Sequence, residues 1–424
     1  MSSRLIEVRI WNQTVGAVAA DPTLGTYVFE YAPSWRLSGV ELAPLMMPLT
    51  AREQIFGFPG LADSFMRLPG LLADALPDDF GNALIDAWMA GHGVNKAEIS
   101  ALDRLAYMGR RGLGALEFKP ARGSQTESAK PMEMQRLVEA ARTVVRGQFA
   151  DDDQAQAALA NIIRVGTSAG GARAKAVIAW NPSTGEIRSG QFDVAAGFEH
   201  WLIKFDGVGK DLELGTSEDY GRIEYAYHLM AVRAGITMSP CRLFQENGRA
   251  HFMTRRFDRE GNAKHHLQSL CAMQHLDFKQ RRTHAYEQLF QTIDQLQLGD
   301  EERDQAFRRM AFNVMVRNCD DHTKNFGFRL KNGGRWELAP AYDVTHAHNP
   351  KSEWTAQHLM SVNGRFDNIA RQDLLTVADR FVVADADRVL DQVAAAVRSW
   401  AEFAHAADLP TASTARVEQD FQMV

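Results

Sequence analysis

Asn318-Cys-Asp-Asp-His-Thr-Lys-Asn325, with Phe326-Gly-Phe-Arg-Leu330 directly behind it, is the stretch that decides the fold. Upstream, Glu301 to Arg317 sets Phe307, Met310, Ala311, Val314 and Met315 at helical spacing among charged residues. The spacing predicts a helix ending in a polar loop that holds Asp320, Asp321, His322, Lys324 and Asn325. Phe326 to Leu330 reads as a short strand. Lys331-Asn-Gly-Gly334 reads as a turn, because glycine and asparagine accept positive φ. Arg335-Trp-Glu-Leu338 is then the returning strand, and Ala339-Pro-Ala-Tyr-Asp343 delivers a further acid.

Helix, acidic loop, hairpin and second acid follow one another in this order in the catalytic region of protein kinases. A kinase base aspartate stands five residues before a metal-binding asparagine, and Asp320 stands at that distance from Asn325. The residue types suit the chemistry. An aspartate accepts the proton of an attacking hydroxyl. An asparagine oxygen is a neutral, hard ligand for Mg2+ and leaves anionic ligation to the second acid. Lys324 is placed to neutralise a transferring phosphoryl group. The usual His-Arg-Asp triplet is missing, so the expectation is an atypical kinase.

The bulk composition is compatible with this. A chain of 424 residues is too long for one small core, and 45% apolar with 24% charged residues is ordinary for a soluble protein. A net charge of −6 argues against nucleic-acid binding by the chain itself. Cys241, Cys271 and Cys319 are widely spaced; they form neither a disulfide framework nor a zinc site and suit a reducing cytoplasm. No apolar run has the length of a membrane span, and no signal segment opens the chain, so the expected location is cytoplasmic, without membrane contact.

Residues 4 to 50 read as β structure, followed by helices over Asn82–Trp88 and Ala97–Met108. Asp74, Asp78 and Asp79 read as caps and a solvated turn rather than metal ligands. Residues 120–131 are the clearest linker. Helices are expected over Met132–Arg146 and Asp152–Ile163. Val165-Gly-Thr-Ser-Ala-Gly-Gly-Ala-Arg-Ala-Lys175 is a glycine-rich turn leading into a strand. It is not a Walker loop, yet its amides suit phosphate. Lys204 sits in the strand Glu199–Phe205, where a nucleotide site would use it on the α and β phosphates. Glu224, in a helix from Ser217 to Ala234, is a candidate partner for Lys204 and equally a surface residue. His251 to Asp258 occupies the place of a kinase hinge, with Phe257 as an apolar wall for adenine. The chain after Leu270 reads as mainly helical, with helices over Ala285–Leu296, Asp373–Phe381 and Asp385–Ala406. The segment after Pro410 is polar and reads as disordered.

With these residues assembled, the chain resembles the HipA family of bacterial serine/threonine kinases, the toxins of type II toxin–antitoxin pairs. The likeness spans nearly the whole chain: Val15-Gly16, Phe29-Glu-Tyr31, Trp35, Met47-Pro-Leu49 and Gly70 to Pro77, then Ser168 to Lys175, Lys204, Arg256-Phe-Asp-Arg259, Asp320 to Asn325 and Tyr342-Asp343. The resemblance implies Asp320 as catalytic base and Asn325 and Asp343 as Mg2+ ligands. It implies ATP contacts from Ala169, Gly170, Gly171, Ala172, Lys175, Lys204, Arg256, Phe257, His322, Lys324 and Asn325. Ser168 aligns with a self-phosphorylated serine, whose dianionic phosphate would compete with ATP phosphates for the same groups. The resemblance further implies a helix-turn-helix antitoxin (HipB-like), DNA contact only through that partner, and protein substrates such as an aminoacyl-tRNA synthetase. Two departures stand out. His266-Leu-Gln-Ser-Leu-Cys-Ala-Met273 replaces an acidic motif, and Thr167 offers a second hydroxyl beside Ser168.

The expected fold is α+β: a two-lobed, atypical protein-kinase-like (HipA-like) fold, with an N-terminal β-rich subdomain over 1–120, a nucleotide-binding lobe over 132–262 and a helical catalytic lobe over 263–424. Two other readings compete. Asp320, Asp321, His322, Asp343, His346 and His348 would make a di-metal hydrolase if the histidines were ligands, although that leaves Lys204 and the glycine-rich loop unexplained. His346 and His348 otherwise read as polar loop residues, and His322 as a support of the catalytic loop. A catalytically silent scaffold or co-repressor is the alternative outside the enzymes.

Overall fold

A computed structural model describes residues 5–77, 79–121, 133–145, 174–206, 219–246 and 248–424, without the side chains of 142–145. The calls on Thr167, Ser168, Ala169, Gly170, Gly171, Ala172 and the helix Asp152–Ile163 lie outside the described residues. The chain forms two compact units: Met1–Gly209 with Met253–Gln268 and Leu330–Gly334, and Lys210–Phe252 with Ser269–Arg329 and Arg335–Val424.

In the first unit, apolar alternation builds a five-stranded sheet. Strand β1 (Leu5–Ile10) buries Ile6, Val8 and Ile10. Trp11 and Asn12 take left-handed φ of 46° and 63°, the geometry of a two-residue hairpin turn, and Ile10 pairs with Gln13 at the start of β2 (Gln13–Asp21). With β3 (Thr26–Tyr31), β4 (Ile55–Gly57) and β5 (Glu117–Lys119) the order is β4-β3-β2-β1-β5. The helix Ala101–Met108 starts at a capping box in which Ser100 and Asp103 bond each other's backbone N–H. A second antiparallel group holds β6 (Lys175–Trp180) between β7 (Ile187–Ser189) and β8 (Glu199–Lys204). β6 is buried on both faces, so it reads as a continuous apolar run rather than an alternation.

One carboxylate ties distant parts of this unit together. Asp258, 2% exposed, accepts from Arg256 at 2.8 and 2.6 Å, from Arg259 at 2.7 Å and from the Gly114 N–H at 2.8 Å. Arg259 also donates to the carbonyls of Gly114 and Gly112. Burial works against the Asp258 charge, but the two guanidinium groups override it and hold the carboxyl below its ordinary range.

The second unit is mainly helical. Asp300–Met315 has three acids in its first turn, where the helix dipole favours them, and Glu302 accepts the Gly299 N–H at 3.0 Å. It ends close to the expected place, and Arg317 beyond it takes a left-handed φ of 55°. The helix expected from Ser217 is described over Tyr220–Arg233; the one expected over Asp385–Ala406 is two, Ala386–Arg398 and Trp400–Ala406. The segment after Pro410 corrects the expectation of disorder. Thr411–Glu418 is a helix, Val417 is fully buried, and Phe421 packs against Trp400 and Tyr227 at 5.6 and 6.4 Å between ring centroids. Among the described residues no helix is long and apolar enough to cross a membrane.

Replacing Asp258 by Asn should destabilise the protein by about 3–5 kcal/mol, because two buried guanidinium groups lose their counter-charge; equilibrium unfolding in denaturant measures this. The sign with pH follows from the lowered carboxyl. Its contribution is complete above the unfolded value of about 3.9 and is lost as pH falls below it, so the wild type should converge on the variant in acid.

Candidate active site

The loop after the helix Asp300–Met315 is fixed from beneath by Asp321. This side chain is buried and accepts three hydrogen bonds: Tyr286 Oη at 2.8 Å, His358 Nδ1 at 2.8 Å and the Leu359 N–H at 2.8 Å. The donors converge because His284–Ala285 and Met360–Ser361 pair as a short parallel ladder, with Tyr286 just after one strand and His358 and Leu359 just before the other. The network continues into the helix. Asn313 Nδ2 donates to Tyr286 Oη at 3.0 Å, and Asn318 Nδ2 donates to Asn313 Oδ1 at 3.0 Å.

Asp320, beside Asp321, points the other way. Its side chain is 42% exposed. Oδ1 accepts the indole N–H of Trp354 at 2.8 Å, and Oδ2 takes no hydrogen bond from the described residues. Packing around the carboxyl raises its pKa. His322 and the Trp354 N–H oppose that rise, and the charges of Asp343 and Asp321 add to it. His322 is half-buried with Nε2 3.8 Å from Asp320 Oδ1, and its ring meets Phe278 at 5.4 Å. Lys324 lays its ammonium 4.7 Å from the Phe278 ring centroid.

The five-residue spacing of Asp320 and Asn325 has a local cause. Residues 323–325 form one 3-10 turn, and Asn325 Nδ2 donates back to the Asp320 carbonyl at 2.7 Å. The amide nitrogen is thereby used, and the amide oxygen remains for a ligand. Asn325 and Asp343 line the same cleft, together with Asn318, Arg309 and Tyr342. Asp343 has a left-handed φ of 51°, and its neighbour Tyr342 donates to the Lys324 carbonyl at 2.7 Å. Gly327 makes this approach possible, since a Cβ there would stand 3.0 Å from the Tyr342 hydroxyl. Two oxygen donors from one carboxylate and one amide suit Mg2+, which completes its shell with water and phosphate oxygens. In the same cleft Arg309 Nε and Asn318 Oδ1 are buried without a hydrogen-bond partner among the described residues. Burial lowers the Arg309 pKa to about 10.

The histidines of the hydrolase reading are committed elsewhere. His346 Nε2 lies 2.8 Å and His348 Nδ1 3.2 Å from Asp420, while Arg317 donates to His348 Nε2 at 2.9 Å and to Asp367 at 2.8 Å. Burial of Asp420 is outweighed by these hydrogen bonds, and its pKa is lowered. Among the described residues no group of three or more His, Cys, Asp and Glu side chains is placed to hold a metal. Among the described residues the di-metal site is therefore not formed; His346, buried, and His348, half-buried, are loop residues held against Asp420. Cys319 beside the loop is buried, which raises its thiol pKa and makes it a poor nucleophile.

In the first unit, Lys175 and Lys204 are cross-strand partners in β6 and β8, so their side chains leave the sheet on one face. Arg256 is turned inward to Asp258, and Phe257, between these two buried residues, is half-buried. Glu224 is buried in its helix of the second unit, not a surface residue. Trp354, Tyr286, His358 and Asp420 were missed in the sequence; each reaches the site from far along the chain with no local pattern to mark it.

No curated protein sequence matches the chain. Among solved structures it is similar to a chain of the Shewanella oneidensis MR-1 toxin–antitoxin complex of HipA, HipB and operator DNA. The identity is 16%, the match covers 98% of this chain and 95% of that one, and the TM-score is 0.70. A weaker likeness, to the Helicobacter pylori proinflammatory kinase CtkA, has 12% identity, 59% and 90% coverage and a TM-score of 0.36. The fold is α+β, with an N-terminal β-sheet and a helical C-terminal region, as expected. The HipA N-terminal domain matches residues 6–119 and the HipA-like C-terminal domain residues 167–401. More than half of the chain lies in the second match alone, and the protein belongs to the HipA family.

Proposed function

We propose that the protein is a HipA-type serine/threonine kinase that transfers the γ-phosphoryl group of ATP to a protein hydroxyl. The observation that carries this reading is the loop geometry: Asp320 with one carboxylate oxygen held and the other open, and Asn325 with its amide nitrogen used and its oxygen left beside Asp343. In this scheme Asp320 Oδ2 accepts the proton of the substrate hydroxyl. Asn325 and Asp343 would hold Mg2+, which would supply charge neutralisation on the phosphates. Lys175 and Lys204, cross-strand partners on one sheet face, would serve the phosphates of the nucleotide. Arg256 through its backbone and Phe257 through its ring would border the base of the nucleotide. His322 and Lys324 stand at the loop for the transferred group. No covalent intermediate is required; positioning and charge neutralisation suffice.

The same reading extends to regulation and partners. Ser168, at the head of the glycine-rich loop, would be the self-modified residue, with Ala169, Gly170, Gly171 and Ala172 supplying phosphate-binding amides in the unmodified state. A helix-turn-helix antitoxin would neutralise the enzyme and carry it to operator DNA, in keeping with the HipA–HipB–DNA assembly of the Shewanella relative. The substrate would be a protein, with an aminoacyl-tRNA synthetase as the first to try, and the site of action the cytoplasm. Residues 1–120, 132–262 and 263–424 would serve as the N-terminal subdomain, nucleotide lobe and catalytic lobe.

Four outcomes are expected. After incubation with Mg·ATP, intact-mass spectrometry of initially unmodified protein should show one added phosphate, mapped to Ser168 or Thr167. Asp320→Asn should lose at least roughly a hundredfold in that transfer and keep nucleotide binding; transfer at the wild-type rate would remove Asp320 as the base. Asp343→Ala should weaken nucleotide binding in Mg2+ and leave it unchanged in EDTA, by calorimetry. Asp321→Asn, which turns an amide N–H toward existing donors, should cost about 2–4 kcal/mol of stability, measured by denaturant unfolding.

A further inference from the structure

One stretch, Asn349 to Leu359, touches both acids of the catalytic loop. Its later part, His358 and Leu359, holds Asp321. Its earlier part is a self-bonded turn. Ser352 Oγ accepts the N–H groups of Trp354 at 3.0 Å and Thr355 at 3.1 Å. The Ser352 N–H donates to the Asn349 carbonyl at 2.9 Å, and the Ala356 N–H to the Ser352 carbonyl at 3.2 Å. Arg281 donates to the carbonyl and to the carboxylate of Glu353, both at 2.9 Å. The backbone on either side of Trp354 is thus fixed, and its indole N–H reaches Asp320 Oδ1 at 2.8 Å.

A carboxylate has a broad preference about its last torsion. A single donor on one oxygen selects an orientation and leaves the second oxygen open. An indole is a donor only, so Trp354 can neither take the substrate proton nor relay it; what it can do is set the direction of Asp320. The ring also lies 6.5 Å from His322, centroid to centroid, and His322 Nε2 stands 3.8 Å from the same Oδ1.

We propose that Trp354 is a positioning residue for phosphoryl transfer: its indole N–H pins Asp320 Oδ1 so that Oδ2 faces the attacking hydroxyl. This rests on the kinase reading with Asp320 as base. Trp354→Phe keeps an aromatic ring and removes the donor. Its kcat should fall about tenfold or more, with KM for ATP and the thermal midpoint as in the wild type. An unchanged kcat overturns the proposal. So does a fall in kcat accompanied by a raised KM or a lowered midpoint, because the ring then acts through general packing.

A second measurement does not depend on turnover. In protein with 15N-labelled tryptophan, the Trp354 indole resonance is the one that vanishes in Trp354→Phe. In Asp320→Ala it should shift and exchange several-fold faster with solvent; a resonance that does not respond overturns the contact. If the wild type transfers no phosphate while the resonance responds, the kinase reading is what has failed, and Trp354 stands as the residue that orients Asp320.

Discussion

The carboxyl group of Asp321 is buried inside the helical unit, and the rest of the site depends on how its oxygens are accommodated. An unpaired buried carboxylate is expensive enough that it would protonate or unfold its surroundings. Here the hydroxyl of Tyr286, the imidazole of His358 and the amide of Leu359 take up its hydrogen-bonding capacity. These donors come from separate stretches of chain, so a single side chain joins a helix start, a two-residue parallel ladder and the loop of Asp320. Asp320 stands next to this anchored residue, and its own carboxylate is held by Trp354. One acid is buried so that its neighbour can be exposed in a defined direction.

What was legible in the sequence is what local spacing controls. The helix before the loop follows from Phe307, Met310, Ala311, Val314 and Met315, and the reach of Asn325 back to Asp320 follows from five residues in a single tight turn. What was not legible depends on contacts that no period announces. Trp354 lies 34 residues after Asp320 and His358 lies 37 after Asp321, with no pattern between them. Polar composition after Pro410 suggested disorder, yet Val417 and Phe421, four residues apart, suffice to dock that helix. Composition averages over residues, and two well-placed apolar ones outweigh the average.

The histidines near Asp343 show the opposite error, where nearness in sequence suggests chemistry that space denies. His346 and His348 alternate with Ala347, whose N–H and carbonyl bond to Arg317 and Cys319. The backbone is extended there, so both rings leave on one side, and that side meets Asp420. Beyond the strand Arg249–Arg255, the guanidinium of Arg256 is committed to buried Asp258, while Phe257 is half-buried.

The Asp420 clasp has a consequence for the order of events during synthesis. Asp420 is added 100 residues after Asp320. At the usual ~5–20 residues per second, this takes on the order of 5–20 seconds. Throughout that interval the nascent chain already carries Asp320, and soon Asn325 and Asp343, but the loop at 346–348 has no acid to close on. The two histidines remain without Asp420 until the ribosome has passed residue 420, whereas Arg317 has its own carboxylate, Asp367, well before that. The segment just after Asp343 is therefore clasped late, by a residue that does not itself line the cleft of Asn325 and Asp343.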